Sequence, residues 1–142
     1  MAEPVGVNYE TVTVLIVEDE ETTRMLLRGM LRQIGIFSTA EAADGKAGLS
    51  EMVRTRPNLV LCDIHMEPMG GREFLKMVRG SKIDWVRTMP VIFLTADAKP
   101  ETVAMARELK ANAYLVKPVD IVALKDRIDK LLKATAAKGR KP

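Results

Sequence analysis

The chain has 142 residues, 47% hydrophobic and 29% charged, the size and make-up of one ordinary globular domain, which excludes a mostly disordered, collagen-like or disulfide-stapled chain. Cys62 is the only cysteine and His65 the only histidine, so an intrachain disulfide and a structural zinc site are excluded too, and no apolar run approaches the roughly 18–20 residues of a membrane span. The net charge of +3 hides an asymmetry, with 6 basic and 11 acidic side chains in residues 1–71 against 16 and 8 in residues 72–142; the basic residues alternate with acids and aromatics are only 4%, which argues against nucleic-acid binding.

Residues 1–10 have no apolar period and read as a flexible leader. No Lys or Arg precedes Arg24 and no apolar stretch follows the start, so secretion is not expected and a cytoplasmic protein is. The ordered domain is expected over residues 11–133. Thr11 to Val17 is short, β-branched and apolar, as a buried strand is. Glu18-Asp19-Glu20-Glu21 ends it, and Thr22 or Thr23 is placed to cap a helix. Leu27, Met30, Leu31 and Ile34 repeat at helical spacing, with Gly35 at the C-terminal cap. Ile36 to Ala43 is a second strand, closed by Asp44-Gly45. Lys46 to Thr55 is a helix with Leu49, Met52 and Val53 apolar. After Arg56-Pro57-Asn58, Leu59 to Cys62 forms a third strand that ends at Asp63. A loop with Pro68, Gly70 and Gly71 leads to a helix over residues 72–79. Gly80 to Met89 reads as irregular, and its Trp85 either covers a core edge or contacts a partner. Val91 to Leu94 is a fourth strand ending at Thr95, residues 101–110 a helix, Ala113 to Val116 a fifth strand, Lys117-Pro118 a turn, and Ile121 to Leu132 the last helix. Residues 134–142 are small and basic and read as a disordered tail.

Five strands alternating with helices call for an α/β fold, a five-stranded parallel sheet with helices on both faces. In such a sheet, function collects at the carboxyl ends of the strands. Those ends carry Glu18 and Asp19, then Asp63, Thr95 and Lys117. Crowded carboxylates repel and need a cation, and an all-oxygen set suits Mg²⁺, which commonly shares its shell with a phosphate. The lysine adds a second cation and the threonine a hydrogen bond, so the constellation is built for a phosphoryl group. No Gly-rich phosphate loop is present, which argues against a nucleotide. An isolated strand-end Asp is commonly a turn or cap residue; its value here lies in the combination.

That combination resembles the receiver domain of bacterial two-component response regulators, the CheY-like family. It consists of an acidic pair after strand 1, Asp after strand 3, Thr-Ala after strand 4 and Lys-Pro after strand 5. The resemblance covers about residues 11–133. It implies the strand order 2-1-3-4-5, for which the family is a standard illustration. It implies Asp63 as phosphoacceptor, Asp19 as main Mg²⁺ ligand with Glu18 beside it through water, and the backbone carbonyl of His65 as a further ligand. It implies that Thr95 binds the phosphoryl group, that Ala96 leaves it room, and that Lys117 binds phosphate before a cis bond to Pro118. Tyr114 matches the aromatic switch residue coupled to Thr95, although packing alone is an equal reading of it. His65 and Asp97 match positions that tune the phosphate lifetime. The chain departs from the family pattern at Met66-Glu67, where proline is displaced to Pro68, at Gly70-Gly71, and at Asn112-Ala113.

The function expected is a signalling switch, not an enzyme. A histidine kinase or histidine phosphotransfer protein would donate to Asp63, and a downstream protein would read the 101–132 face, in chemotaxis or in a phosphorelay. About ten residues follow the last helix, too few for a DNA-binding domain, and no membrane partner is expected. Two other classes compete. An aspartyl-phosphate hydrolase would carry Asp-x-Asp, which Asp63-Ile64-His65 breaks. An FMN binder would need phosphate donors in the first loop, where Glu18 to Glu21 would repel phosphate.

Overall fold

The computed structural model describes residues 6–137. After a 3₁₀ turn at Tyr9–Thr11, the chain runs through β1 (Thr13–Val17), α1 (Glu21–Ile34), β2 (Ser38–Ala42), α2 (Gly45–Thr55), β3 (Leu59–Asp63) and α3 (Gly71–Arg79). It continues through α4 (Asp84–Arg87), β4 (Val91–Thr95), α5 (Pro100–Glu108), β5 (Ala113–Val116) and α6 (Ile121–Ala137). The strands form one parallel sheet in the order β2-β1-β3-β4-β5, as expected.

Alternation along the central strands sorts the core into two layers. Leu15, Val17, Val60, Cys62, Val91 and Phe93 face Met52 of α2 and Phe74, Leu75 and Val78 of α3. Val14, Ile16, Leu59, Leu61, Ile92 and Leu94 face Leu27 and Leu31 of α1 and Leu124 and Ile128 of α6. Strands buried on both faces explain the uninterrupted apolar runs of the sequence. The polar residues that end these strands therefore share one edge of the sheet.

Local chemistry sets the helix ends. The Asp44 carboxylate accepts from the Ala47 N–H at 2.9 Å and caps α2, which starts at Gly45 rather than Lys46. Gly35 ends α1 with φ of 114°, which a side chain would disfavour. Neither Thr22 nor Thr23 caps α1. Glu20 stands at that position without a side-chain cap bond, and Thr23 donates to its carboxylate.

Three expectations from the sequence need correction. The segment from Gly80 to Met89 contains α4, a helix of one turn, too short to show a period; its Trp85 packs against the α2–α3 layer beneath the Arg56 guanidinium, 4.9 Å from the ring centroid. The end of the leader is built into the fold. Val7 and Tyr9 pack on the α1–α6 layer, and the Tyr9 hydroxyl donates to Asp129. A lone aromatic before a strand carries no periodic signal. Finally, α6 continues past Leu132 to Ala137, through alanines that favour helix. Residues 1–5 of the leader and 138–142 of the tail lie outside the described residues. Among the described residues no helix is long and apolar enough to cross a membrane.

Arg79 locks the lower end of the sheet. Its Nη1 donates to the carbonyls of Arg87 and Met89 at 2.9 and 2.8 Å. Its Nε and Nη2 donate to the Lys110 carbonyl, and Nη2 also reaches Asn112 Oδ1 at 2.9 Å. Burial pushes its pKa down, yet the guanidinium's donors are occupied. Arg79→Ala is expected to cost on the order of 3 kcal/mol in urea unfolding, because several carbonyls lose a charged donor together. A loss below about 1 kcal/mol would show that water replaces the clamp.

Candidate functional site

The register brings the strand ends together. Val17 pairs with Cys62, Asp63 with Leu94, and Thr95 with Val116, so Glu18, Asp63, Thr95 and Lys117 emerge at neighbouring positions. Main-chain bonds extend the sheet into the site: Glu18 N–H to Ala42, Ile64 N–H to Leu94 and Lys117 N–H to Thr95, at 2.9, 3.2 and 2.7 Å.

Lys117 Nζ lies 2.7 Å from Glu18 Oε1 and 3.3 Å from Asp63 Oδ2. Glu18 is fully buried and Asp63 is 6% exposed, whereas Asp19 is open to solvent. Carboxylate oxygens of Glu18, Asp19 and Asp63 lie within 4.8 Å of one another. Burial pushes the Glu18 carboxyl up to about 7, against the pull of Lys117; Asp19 and the charge on Asp63 add to the rise, and the Glu20 N–H opposes it. Burial also disfavours the charged Lys117, but its bond to Glu18 and the charge on Asp63 outweigh this and hold it above its ordinary value. Three carboxylates thus face one ammonium. This all-oxygen set fits a small hard divalent cation, which would relieve the crowding.

The other expected residues are placed around this centre. Thr95 is buried, and its hydroxyl donates to the Asp97 carbonyl at 2.8 Å while accepting from the Asp97 N–H. Ala96 and His65 are exposed. The Asp97 carboxyl is held below the usual range by the Lys99 N–H, the Thr102 hydroxyl and the charges of Lys99 and His65. The Lys117–Pro118 bond is cis, and so is Glu67–Pro68 in the loop after Asp63. Tyr114 stands apart from the acidic centre. It pairs with Phe93 on the outermost strand and is 38% exposed. Cys62 is buried, its thiol pushed up by burial and by the charges of Asp63 and Glu18, as suits a core residue.

Residues 14–129 match the family model described as response regulator receiver domain. The chain belongs to that family. It is 34% identical over 118 residues to the chemotaxis protein CheY-3 of Vibrio cholerae serotype O1, covering 83% of this chain and 89% of that protein. It is 33% identical over 118 residues to the chemotaxis protein CheY of Pseudomonas aeruginosa, covering 83% and 94%. Among solved structures, it resembles a CheY-like receiver domain protein from Methanospirillum hungatei with a TM-score of 0.80, 26% identity, and coverage of 91% of this chain and 99% of that one. The chemotaxis response regulator CheY4 of Vibrio cholerae gives a TM-score of 0.71, 27% identity, and coverage of 90% and 98%.

As a receiver domain the chain is a signalling module of two-component systems, not a classical enzyme, and the family works between histidine kinases or phosphotransfer proteins and downstream targets. The acidic cluster matches the pocket at which receiver domains typically bind Mg²⁺.

Sequence reasoning passed over two contributors to this site. Gly71 opens α3 directly against the Asp63 carbonyl, where a Cβ would come within 2.3 Å. The Gly70-Gly71 pair was the available signal. Arg24 of α1 donates to the Glu18 carbonyl at 2.6 Å. In the sequence it reads as an ordinary surface residue of a first helical turn.

Proposed function

We propose that this receiver domain is a Mg²⁺-dependent switch in which Asp63 accepts a phosphoryl group from a phosphohistidine. The supporting observation is the Asp63 carboxylate at the end of β3, 3.3 Å from Lys117 and grouped with Glu18 and Asp19. An Asp63 oxygen attacks phosphorus in line. The new O–P bond forms as the P–N bond to the donor imidazole breaks, and that bond's electron pair returns to the imidazole nitrogen. Lys117 offsets the charge on the phosphoryl oxygens. Mg²⁺, when bound, neutralises further charge there; Asp19 would hold it directly, with Asp63, the His65 carbonyl, and Glu18 through water. Thr95 would leave its bond to the Asp97 carbonyl and turn to the phosphoryl group, with Ala96 leaving room. His65 and Asp97 flank the approach of water and tune the lifetime. Phosphotransfer from purified histidine kinases or phosphotransfer proteins, with and without Mg²⁺, tests the reading; transfer from none of them, or transfer indifferent to Mg²⁺, would defeat it.

Output is assigned to the 101–132 face. A groove there runs along β5, lined by Asn112 to Val116 and by Arg127 of α6. Lys125 pairs with Asp129, and Lys130 and Arg127 pair with Asp126, so much of the basic charge on α6 is offset within the helix. Recognition therefore rests on packing around Tyr114 more than on charge. The movement of Thr95 would reach Tyr114 through the β4–β5 ladder. The relatives make chemotaxis the leading setting, with a step in a phosphorelay as the other. Chemical-shift mapping with a phosphoryl mimic should move Tyr114 and both helices. Changes confined to the loops around Asp63 would rule this face out.

A further inference from the structure

Arg24 occupies the first turn of α1, yet its side chain is only 17% exposed. Its Nη1 donates to the main-chain carbonyl of Glu18 at 2.6 Å, and its Nε lies 3.1 Å from Glu41 Oε1. Glu41 projects from edge strand β2, where it pairs with Ile16, and its other oxygen takes Arg28. The Glu18 N–H is fixed separately, to Ala42 at 2.9 Å. Glu18 is thus held at both its peptide groups, from β2 on one side and from α1 on the other. The peptide joining Glu18 to Asp19 is planar, so fixing its carbonyl fixes the plane from which Asp19 departs. The fork of an arginine suits this task, because it can hold a carboxylate and a carbonyl at once.

We propose that Arg24, braced by Glu41, is a positioning residue for the Glu18–Asp19 turn and thereby sets the affinity of the site for a divalent cation. The inference rests on the reading of that turn as the Mg²⁺ site. Two effects oppose each other, which makes its sign informative. By charge alone, a guanidinium beside a cation site repels the ion, and removing it should tighten binding. By geometry, losing the bond frees the turn and weakens binding. Glu41, shared with Arg28, offsets part of the Arg24 charge, whereas the bond from Arg24 to the Glu18 carbonyl is direct, so the geometric effect prevails.

The test is Mg²⁺ titration of the full chain, followed by the NMR amide shifts of Asp19 and Asp63. Arg24→Gln should raise the half-saturating Mg²⁺ concentration about tenfold, the scale on which partners behind metal ligands act. Arg24→Lys should stay close to Arg24→Gln, since an ammonium keeps the charge but not the fork. Glu41→Gln should shift the midpoint in the same direction by less. At saturating Mg²⁺ the labelling rate with a small phosphodonor should return to within about twofold of wild type, because only cation binding has been weakened. An Arg24→Gln midpoint equal to or below wild type overturns the inference. Should that variant fail to fold, the Arg24→Lys midpoint decides. Wild-type protein that binds Mg²⁺ but takes no label overturns the phosphoacceptor reading and leaves this inference standing. Wild-type protein that binds no Mg²⁺ overturns both.

Discussion

The Asp63→Asn protein is expected to take no label from a small phosphodonor, under conditions in which wild type is labelled and requires Mg²⁺. The wild-type label should be acid-stable and base-labile, as an acyl phosphate is. An amide nitrogen shares its lone pair with the carbonyl and offers no nucleophile to phosphorus, so the expected loss is about a hundredfold or more. The substitution is also gentle on the fold. Asp63 and Glu18 share one ammonium, and the charge on Asp63 helps to push the Glu18 carboxyl up to about 7. A neutral Asn relieves that repulsion and still presents an oxygen to Lys117. The melting temperature without Mg²⁺ should therefore hold or rise. Loss of label together with an intact fold separates chemistry from unfolding. Labelling of Asp63→Asn at the wild-type rate would sink the assignment.

How much of this was legible in the sequence depends on the range of each interaction. The strands were legible because residues such as Leu59 to Cys62 and Val91 to Leu94 are uninterrupted apolar runs bounded by turn signals. Strict alternation with helices then forces a parallel sheet, and a parallel sheet places residues 18, 63, 95 and 117 on one edge. The candidate site was thus readable from topology. What could not be read is the second layer around it. Lys117 meets Glu18 across 99 positions, and Arg24 meets Glu41 across 17. No local pattern announces either pair. The Thr95 hydroxyl is likewise engaged with its own loop through Asp97, a detail of backbone geometry. α4 and Tyr9 escaped for a different reason. One helical turn and one aromatic are each too short for a period, so only packing reveals them.

Gly71→Ala carries the second large effect, and its sign opposes the simplest expectation. Gly71 is the first residue of α3, and alanine is favoured over glycine in a helix by up to about 1 kcal/mol. Helix propensity alone predicts a more stable protein. Crowding predicts the reverse. A Cβ on Gly71 would lie 2.3 Å from the Asp63 carbonyl oxygen, 3.0 Å from Ile64 Cα and 3.1 Å from the Asp63 carbonyl carbon. All three are main-chain atoms, so no rotamer change relieves the clash. The Gly71 N–H also donates to the Ile64 carbonyl at 2.9 Å, which ties the start of α3 to the end of β3. The chain can yield only by moving α3 away or by turning the Asp63 peptide. The first opens the layer where Phe74 and Leu75 are buried; the second tilts the Asp63 carboxylate away from Lys117. The variant is expected to lose about 3 kcal/mol in denaturant unfolding and to label more slowly than wild type. Gly29→Ala supplies the internal control, because nothing lies within 4 Å of its Cβ position. There propensity acts unopposed, and a gain of up to about 1 kcal/mol is expected. If Gly71→Ala and Gly29→Ala change stability by the same amount in the same direction, the close approach of α3 to Asp63 does not constrain the site.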